Sequence, residues 1–104
     1  MYGRLVEIEG IDPSRREEAI RNVRENVLPA LKSLDGFAGF VSLANEETRR
    51  VRSVVLWETR EDAEAAEEQM KPRREQMAKE IGFTVKAADL YEVVVAEVPV
   101  GAHA

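Results

Sequence analysis

The spacing of apolar residues along the chain predicts four strands and two helices. Four segments rich in β-branched and other apolar residues are predicted strands: 2–9, 37–44, 51–58 and 90–98. Between them, apolar residues recur every three or four positions over residues 13–34 and from about residue 60 to residue 82, which predicts two helices. The order β-α-β-β-α-β is the ferredoxin-like arrangement of α+β proteins, an antiparallel four-stranded sheet with both helices on one face.

Each predicted helix has one apolar stripe. The stripe of the first helix consists of Ile20, Val23, Val27, Leu31 and Leu34. The stripe of the second helix consists of Ala63, Ala66, Met70, Met77 and Ile81. Asn22 and Asn26 lie off the first stripe by the helical period, so we expect both amides to be solvated.

Capping residues mark where the predicted helices begin and end. Asp12 before Pro13 is typical of an N-cap followed by the first helical residue. Thr59 stands three residues before Asp62, which is typical of the start of the second helix. Gly36 and Gly82 are predicted as the stops, because glycine readily adopts the left-handed conformation that ends a helix.

Two prolines lie inside the helical patterns. Proline removes a backbone hydrogen bond and clashes with the preceding turn. We expect a kink at Pro29, where the apolar stripe continues beyond the proline. We expect a break near Lys71, just before Pro72.

The third and fourth predicted strands are apolar on both faces. In the third strand Val55 and Trp57 share one face, while Val54 and Leu56 share the other. Since two helices can cover only one face, the other would be a large exposed apolar patch, which is typical of an interface. We therefore expect a homodimer whose sheets pack face to face. The domain is predicted to span residues 1–98, with residues 99–104 as a flexible tail.

Composition narrows the function classes. The net charge of −5 argues against nucleic acid as a partner, and no apolar run approaches the roughly 20 residues that a membrane span needs. The chain has no Cys, which suits a cytoplasmic protein, and its single His is His103, in the predicted tail. We expect no metal site, no bound cofactor and no Ser-His-Asp or Cys-His catalysis.

Three short segments resemble the antibiotic biosynthesis monooxygenase (ABM) family. They are residues 28–31 (Leu-Pro-Ala-Leu), 35–40 (Asp-Gly-Phe-Ala-Gly-Phe) and 55–58 (Val-Leu-Trp-Glu), in the element order given above. The resemblance implies a dimeric α/β barrel with a pocket in each subunit between the sheet and its own helices. It also implies a cofactor-independent monooxygenase acting on a small aromatic or quinol-type molecule.

The haem-degrading branch of the same family is disfavoured. That branch uses an Asn in the first strand, a Trp at the end of the third strand and a His in the second helix. Trp57 matches the Trp, but the first strand has no Asn and the second helix has no His. The absence of these partners strengthens the alternative function, a non-catalytic small-molecule-binding or interaction protein of the same fold.

Several residues are candidates for substrate binding, each with a structural alternative. Trp57 could stack on a flat substrate, or be an ordinary core aromatic. Arg73 and Arg74 fall on the stripe of the second helix and could orient an anionic or phenolic substrate, or reach solvent or pair with glutamates.

Three apolar residues and one tyrosine complete the candidates. Met70, Met77 and Phe83 could line an adaptable pocket or belong to the core. Tyr91 could donate a hydrogen bond to a bound phenol or lie in the dimer interface, depending on strand register. A cavity of roughly 300 Å³ or more beside Trp57, with a converging polar group, would favour a ligand site over a packed core.

Overall fold

The structure, a computed structural model, describes residues 1–97 and contains one antiparallel sheet with two helical regions. The strands are β1 (Tyr2–Glu9), β2 (Phe37–Asn45), β3 (Arg50–Trp57) and β4 (Thr84–Glu92), in the order β2-β3-β1-β4. The predicted ferredoxin-like α+β fold is therefore confirmed. The predicted tail at residues 99–104, which includes His103, lies outside the described residues.

The fourth strand was predicted in the wrong place. The prediction covered residues 90–98, whereas β4 ends at Glu92 and residues 93–97 belong to no strand. The reason is the length of β1: Tyr2 pairs with Glu92, so the chain after Glu92 runs past the end of its partner strand. One further hydrogen bond, from the Val93 N–H to the Met1 carbonyl at 3.0 Å, extends the pairing. Beyond this bond the apolar run that suggested a strand is exposed, with Val94 at 81% and Val95 at 85%.

The first helical region continues through Pro29. It consists of a 3-10 turn (Pro13–Arg15), α1 (Arg16–Asn22), a π-helical segment (Val23–Val27) and α2 (Leu28–Lys32). The kink expected at Pro29 is replaced by the wider π-helical segment, which ends at Val27, two residues before the proline. Pro29 has no N–H to donate, and it lies in the first turn of α2. The predicted stop at Gly36 is also wrong, because Ser33 is the C-cap. Gly36 instead turns the chain into β2 with a φ of 79°.

The start of this region is capped as predicted. Asp12 accepts hydrogen bonds from the Ser14 backbone N–H at 2.9 Å and from the Ser14 hydroxyl at 2.8 Å. These bonds stabilise the ionised carboxyl group and lower the pKa of Asp12. Pro13 occupies the first helical position. The N-cap prediction from Asp12 and Pro13 is therefore confirmed.

The second helical region is unbroken. It comprises α3 (Arg60–Met77) and a π-helical segment (Ala78–Gly82), and Thr59 caps it by accepting the Asp62 N–H at 3.0 Å. The break expected near Lys71 is absent from this helix. Pro72 has no N–H to donate to the Glu68 carbonyl, but both residues are exposed. Water can satisfy that carbonyl, so the helix tolerates the proline.

The π-helical segment rotates the apolar stripe of the first region. Ala19 is buried, whereas Ile20, a predicted core residue, is 41% exposed. The inward-facing residues Ala19, Val23, Val27 and Leu31 are spaced by four. In an α-helix, with 3.6 residues per turn, each step of four moves the side chain slightly around the axis. The wider π-helical turn offsets this rotation, so that all four side chains stay on the side that faces the sheet. The buried core of the sheet and helices consists of Leu31, Val55, Trp57, Ala63, Ala66 and Met70. Across residues 1–97, no helix is long and apolar enough to cross a membrane.

Candidate functional site

A cavity of about 510 Å³ lies between the sheet and the two helical regions. Most of its wall is apolar: Val6, Ile8, Val23, Val27, Leu31, Phe40, Val55, Trp57, Ala63, Ala66, Met70, Met77 and Phe83. This volume exceeds the roughly 300 Å³ at which small-molecule sites begin. Trp57 itself is 2% exposed, so the cavity borders the packed core at this residue and opens away from it.

Strand alternation and register assemble the floor of the cavity. Tyr2 pairs with Trp57 and Val6 with Ser53, and directly paired residues share a face. Alternate side chains of both strands therefore point toward the helices: those of residues 4, 6 and 8 in β1 and of residues 53, 55 and 57 in β3. On the helical side, Ala63 and Ala66 border the cavity where it meets the packed core, and they are 1% and 3% exposed.

Trp57 belongs to both the core and the cavity wall. Its side chain is 2% exposed, and the Phe37 ring meets it edge-on with centroids 6.0 Å apart and an interplanar angle of 80°. This contact fixes the indole at the end of β3. The structure thus places Trp57 in the core, as one of its two interpretations from the sequence has it, and at the border of the cavity.

Three charged side chains form an ionic cluster in the cavity wall, which we call the Arg–Glu–Arg cluster: Arg4, Glu67 and Arg74. Arg74 donates two hydrogen bonds to Glu67, at 3.0 and 2.7 Å, one to each carboxylate oxygen. Arg4 Nε lies 3.8 Å from Glu67 Oε1, and Arg4 also donates to the Ala88 carbonyl at 3.2 Å. All three side chains are largely buried. The pair that the sequence left open for Arg74 is therefore made, and it is made inside the cavity.

Two asparagines of the first helical region, Asn22 and Asn26, form a second polar group in the cavity wall. Asn26 donates a hydrogen bond to the Asn22 side-chain oxygen at 2.7 Å, and the Asn22 amide contacts Met77 Sδ at 3.1 Å. Asn22 is only partly exposed and both residues line the cavity. The expectation of solvation holds for Asn26, which is exposed, and is wrong for Asn22. The buried side of α1 includes Ala19, and Asn22 lies one helical turn after it on the same side.

The structure brings most of the predicted site residues together. Trp57, Met70, Met77 and Arg74 line one cavity, and Arg73 borders it with an exposed side chain. Tyr91 does not join them. It pairs with Gly3, whose face is opposite to that of Trp57, and it is 54% exposed. Strand register thus separates Tyr91 from the cavity.

Sequence reasoning missed Arg4 and Glu67 as cavity residues. Both carried a signal in the spacing. Arg4 alternates with Val6 and Ile8 on the inward parity of β1, and Glu67 lies four residues after Ala63 and three before Met70 on the stripe of α3. Arg4 and Glu67 could have been recognised as candidates because each is a charged residue on an otherwise apolar face of its element. Among residues 1–97, no three His, Cys, Asp or Glu side chains are grouped as metal ligands.

The other face of the sheet has no covering element in residues 1–97, and we call it the open face. Its apolar part consists of Gly3, Leu5, Gly39, Val41, Leu43, Val54, Leu56, Ala87 and Tyr91. Toward one end, Glu7 pairs with Arg52 at 2.5 Å and Glu9 lies between Arg50 and Lys86, at 3.7 and 3.5 Å. The open face is thus apolar over one part, apart from the exposed Asp89 opposite Leu5, and bears paired charges over the other.

Similarity to known proteins was found in sequence and in structure. No family model matches the chain. The uncharacterized protein Rv2557 of Mycobacterium tuberculosis is 35% identical over 68 residues, which are 65% of this chain and 30% of that protein. The chain therefore spans less than a third of the length of this curated relative.

Solved structures cover nearly the whole described fold. The monooxygenase from the gene ActVA-Orf6 of Streptomyces coelicolor, solved with the ligand nanaomycin D, has a TM-score of 0.68 at 14% identity and covers 95% of this chain and 92% of its own. A candidate antibiotic biosynthesis monooxygenase from Nitrosomonas europaea has a TM-score of 0.63 at 18% identity, covering 91% of this chain and 100% of its own. A dimeric ferredoxin-like protein from an uncultured marine organism has a TM-score of 0.68 at 14% identity, covering 94% and 99%.

These identities are low enough that the likeness concerns the fold alone. The TM-scores of 0.63 to 0.68 over more than nine-tenths of this chain show that the fold is shared with all three structures. The chain therefore has the ferredoxin-like fold of the antibiotic biosynthesis monooxygenase structures, and the family resemblance of its sequence is confirmed at the level of the fold.

Proposed function

We propose that the cavity binds a small, flat aromatic molecule and that the protein is a cofactor-independent monooxygenase acting on a quinol-type substrate. The observation that carries the proposal is the cavity itself: about 510 Å³ of mostly apolar space beside Trp57, with arginine side chains in its wall. Apolar walls with a few converging polar groups are typical of small-molecule sites. The fold shared with a monooxygenase solved with the ligand nanaomycin D adds support by analogy.

The chemistry requires little of the protein beyond a dry pocket and stabilisation of an anion. A ring methylene or a quinol hydroxyl loses a proton, and the resulting enolate or phenolate passes one electron to dioxygen. Recombination at a ring carbon that carries a hydrogen forms a peroxide anion, which takes up a proton. Loss of water from this hydroperoxide leaves a carbonyl, so that one oxygen atom enters the product and the other leaves in water. Excluding bulk water strengthens the interaction between the anion and the charged groups in the wall.

We also propose that the protein works as a homodimer formed through the open face. Apolar residues from all four strands contribute to this face, and patches of this kind are typical of interfaces. A two-fold axis through the face would bury the apolar part of each copy against the other. A structural neighbour is a dimeric ferredoxin-like protein, which supports this arrangement by analogy.

Filling the cavity tests the function directly. Val23 lines the cavity, whereas Ile20, three residues earlier on the same helical region, is exposed. We expect Val23→Phe to occupy the space and abolish both the binding of an anthrone-type quinol and the oxygen uptake that it supports. Ile20→Phe adds an aromatic ring outside the cavity and should leave both unchanged. Fluorescence titration and an oxygen electrode provide the two measurements.

The two readouts separate the possible outcomes. Binding and oxygen uptake that are both lost in Val23→Phe and retained in Ile20→Phe would support an oxygenase that uses this cavity. Binding without oxygen uptake across a set of quinols would overturn the oxygenase and leave a binding protein. Equal behaviour of the two variants would place the ligand elsewhere and overturn the cavity as the site.

A further inference from the structure

The cavity is basic in a protein that is acidic overall. The chain has a net charge of −5, yet the charged residues that line the cavity are three arginines and two glutamates: Arg4, Arg73, Arg74, Glu67 and Glu80. The lining thus carries an excess of one positive charge. In the low-dielectric space between sheet and helices, this excess acts on a ligand more strongly than a surface charge would.

Within the Arg–Glu–Arg cluster, Arg4 is the cation whose charge is least compensated. Arg74 occupies both carboxylate oxygens of Glu67 at hydrogen-bond distance. Arg4 reaches the same carboxylate only at 3.8 Å and makes one hydrogen bond, to the Ala88 carbonyl, within the part of the chain that the structure describes. A guanidinium group has five N–H donors, so most of those of Arg4 have no protein acceptor in residues 1–97.

The surroundings of Arg4 make an oxyanion a favourable partner. Its side chain is 13% exposed, and no buried polar side-chain atom in residues 1–97 lacks a hydrogen-bond partner, so the unpaired N–H groups have access to space. Arg4 lines the cavity, and that space is therefore the cavity. A largely desolvated cation with open donors gains more from a charge-assisted hydrogen bond than an exposed one does.

We propose that Arg4 binds the ionised oxygen of the ligand, so that the cavity holds its aromatic ligand as the phenolate or enolate. Glu67 acts as a positioning residue, because it fixes Arg74 and leaves the Arg4 donors open toward the hollow. The proposal rests on the proposed function, since it names the charge state of the molecule that the cavity binds. It follows that the bound ligand is more acidic than the free one.

The charge state can be measured without any turnover. The probe is 7-hydroxycoumarin, a flat phenol whose neutral and ionised forms have separate excitation bands, and its methyl ether, 7-methoxycoumarin, cannot ionise. We expect the apparent pKa of the bound phenol to lie about one unit below that of the free phenol, which is a tenfold preference for the phenolate. Arg4→Met should abolish this shift while changing the affinity for 7-methoxycoumarin by less than about twofold.

Two further variants complete the design. Arg4→Lys keeps the charge and should retain part of the shift, which also covers the case in which Arg4→Met fails to fold. Arg52→Met removes an arginine from the open face of the same sheet and should leave the full shift. A bound phenol with an unshifted pKa in the unaltered protein, or a full shift in both Arg4 variants, would overturn the role of Arg4 and leave the cavity function standing. If neither coumarin binds at all, the proposed function fails and this inference fails with it.

Discussion

The two faces of the sheet differ in what covers them, although the same four strands build both. On the helix-covered face, Trp57 is 2% exposed and Val55 7%. On the open face, Val41 is 50% exposed and Leu43 61%. A strand with apolar residues on both sides needs a packing partner on each face of the sheet. In residues 1–97 the helices pack on only one of the two faces. The covered face is occupied in part by a cavity, whereas the open face has no covering element in residues 1–97 and is the face through which we propose that two copies pair.

Ion pairs show the same contrast. Glu67 and Arg74, on the covered side, have side chains that are 21% and 15% exposed and form two short hydrogen bonds. Glu7 and Arg52, on the open face, form a similar pair but are 32% and 48% exposed. Solvent screens the second pair much more than the first. Burial thus separates an ionic cluster that can act on a ligand from a pair that water already stabilises.

The largest expected effect comes from placing a charge in the apolar part of the open face. Val54→Asp would put one carboxylate from each copy into the proposed interface, at a cost of several kcal/mol per buried ion. We expect the dimer to dissociate at micromolar concentration, as measured by sedimentation velocity. The control Thr48→Asp, in the exposed turn after β2, should remain dimeric. A stable monomer for the unaltered protein would contradict the proposed interface.

The second prediction compares an aromatic residue on the covered face with a leucine on the open face. Trp57→Ala removes the largest buried side chain and should lower the free energy of unfolding by about 3–5 kcal/mol. Leu43→Ala, measured in the monomeric Val54→Asp background, should change it by about 0.5 kcal/mol or less. Urea denaturation provides both values. A loss at Leu43 as large as that at Trp57 would mean that another part of the chain covers the open face.

The smallest expected difference concerns the two ion pairs. In the same monomeric background, Arg74→Ala should cost about 1–3 kcal/mol, because it leaves the Glu67 carboxylate largely buried without its two donors. Arg52→Ala should cost about 0.5 kcal/mol or less, since its pair is exposed. Repeating the urea denaturation in high salt tests the cause. Only the Arg52 pair should weaken further as the salt concentration rises.

Much of the fold was predictable because local signals agree with one another. The element order followed from the two apolar periods, and the caps at Asp12 and Thr59 followed from side chains that accept nearby N–H groups. The fourth strand was misplaced because an apolar run at residues 93–96 outweighed the pairing limit set by β1. Where a strand ends depends on the length of its neighbour, which the local sequence does not contain.

The site was predictable only in part, for a related reason. Met70 and Arg74 were identified from stripe positions and Trp57 from its place at the end of the third strand, and all three line one cavity. Asn22 was assigned to solvent because the predicted stripe began at Ile20, whereas the buried side of α1 includes Ala19, three residues before Asn22. Tyr91 could not be assigned to a face, since a one-residue change in register moves a side chain across the sheet.

By itself, the sequence determined the fold class, the helix caps and the presence of two apolar sheet faces, because each rests on interactions among residues close in the chain. The tertiary structure alone decided the cavity, the position of Tyr91 on the opposite face, and the contact between Arg4, Glu67 and Arg74. Glu67 lies 63 positions beyond Arg4 in the chain, and their approach depends on strand register and on how α3 packs over β1. Long-range geometry of this kind is set by the packing of whole elements, which no local pattern specifies.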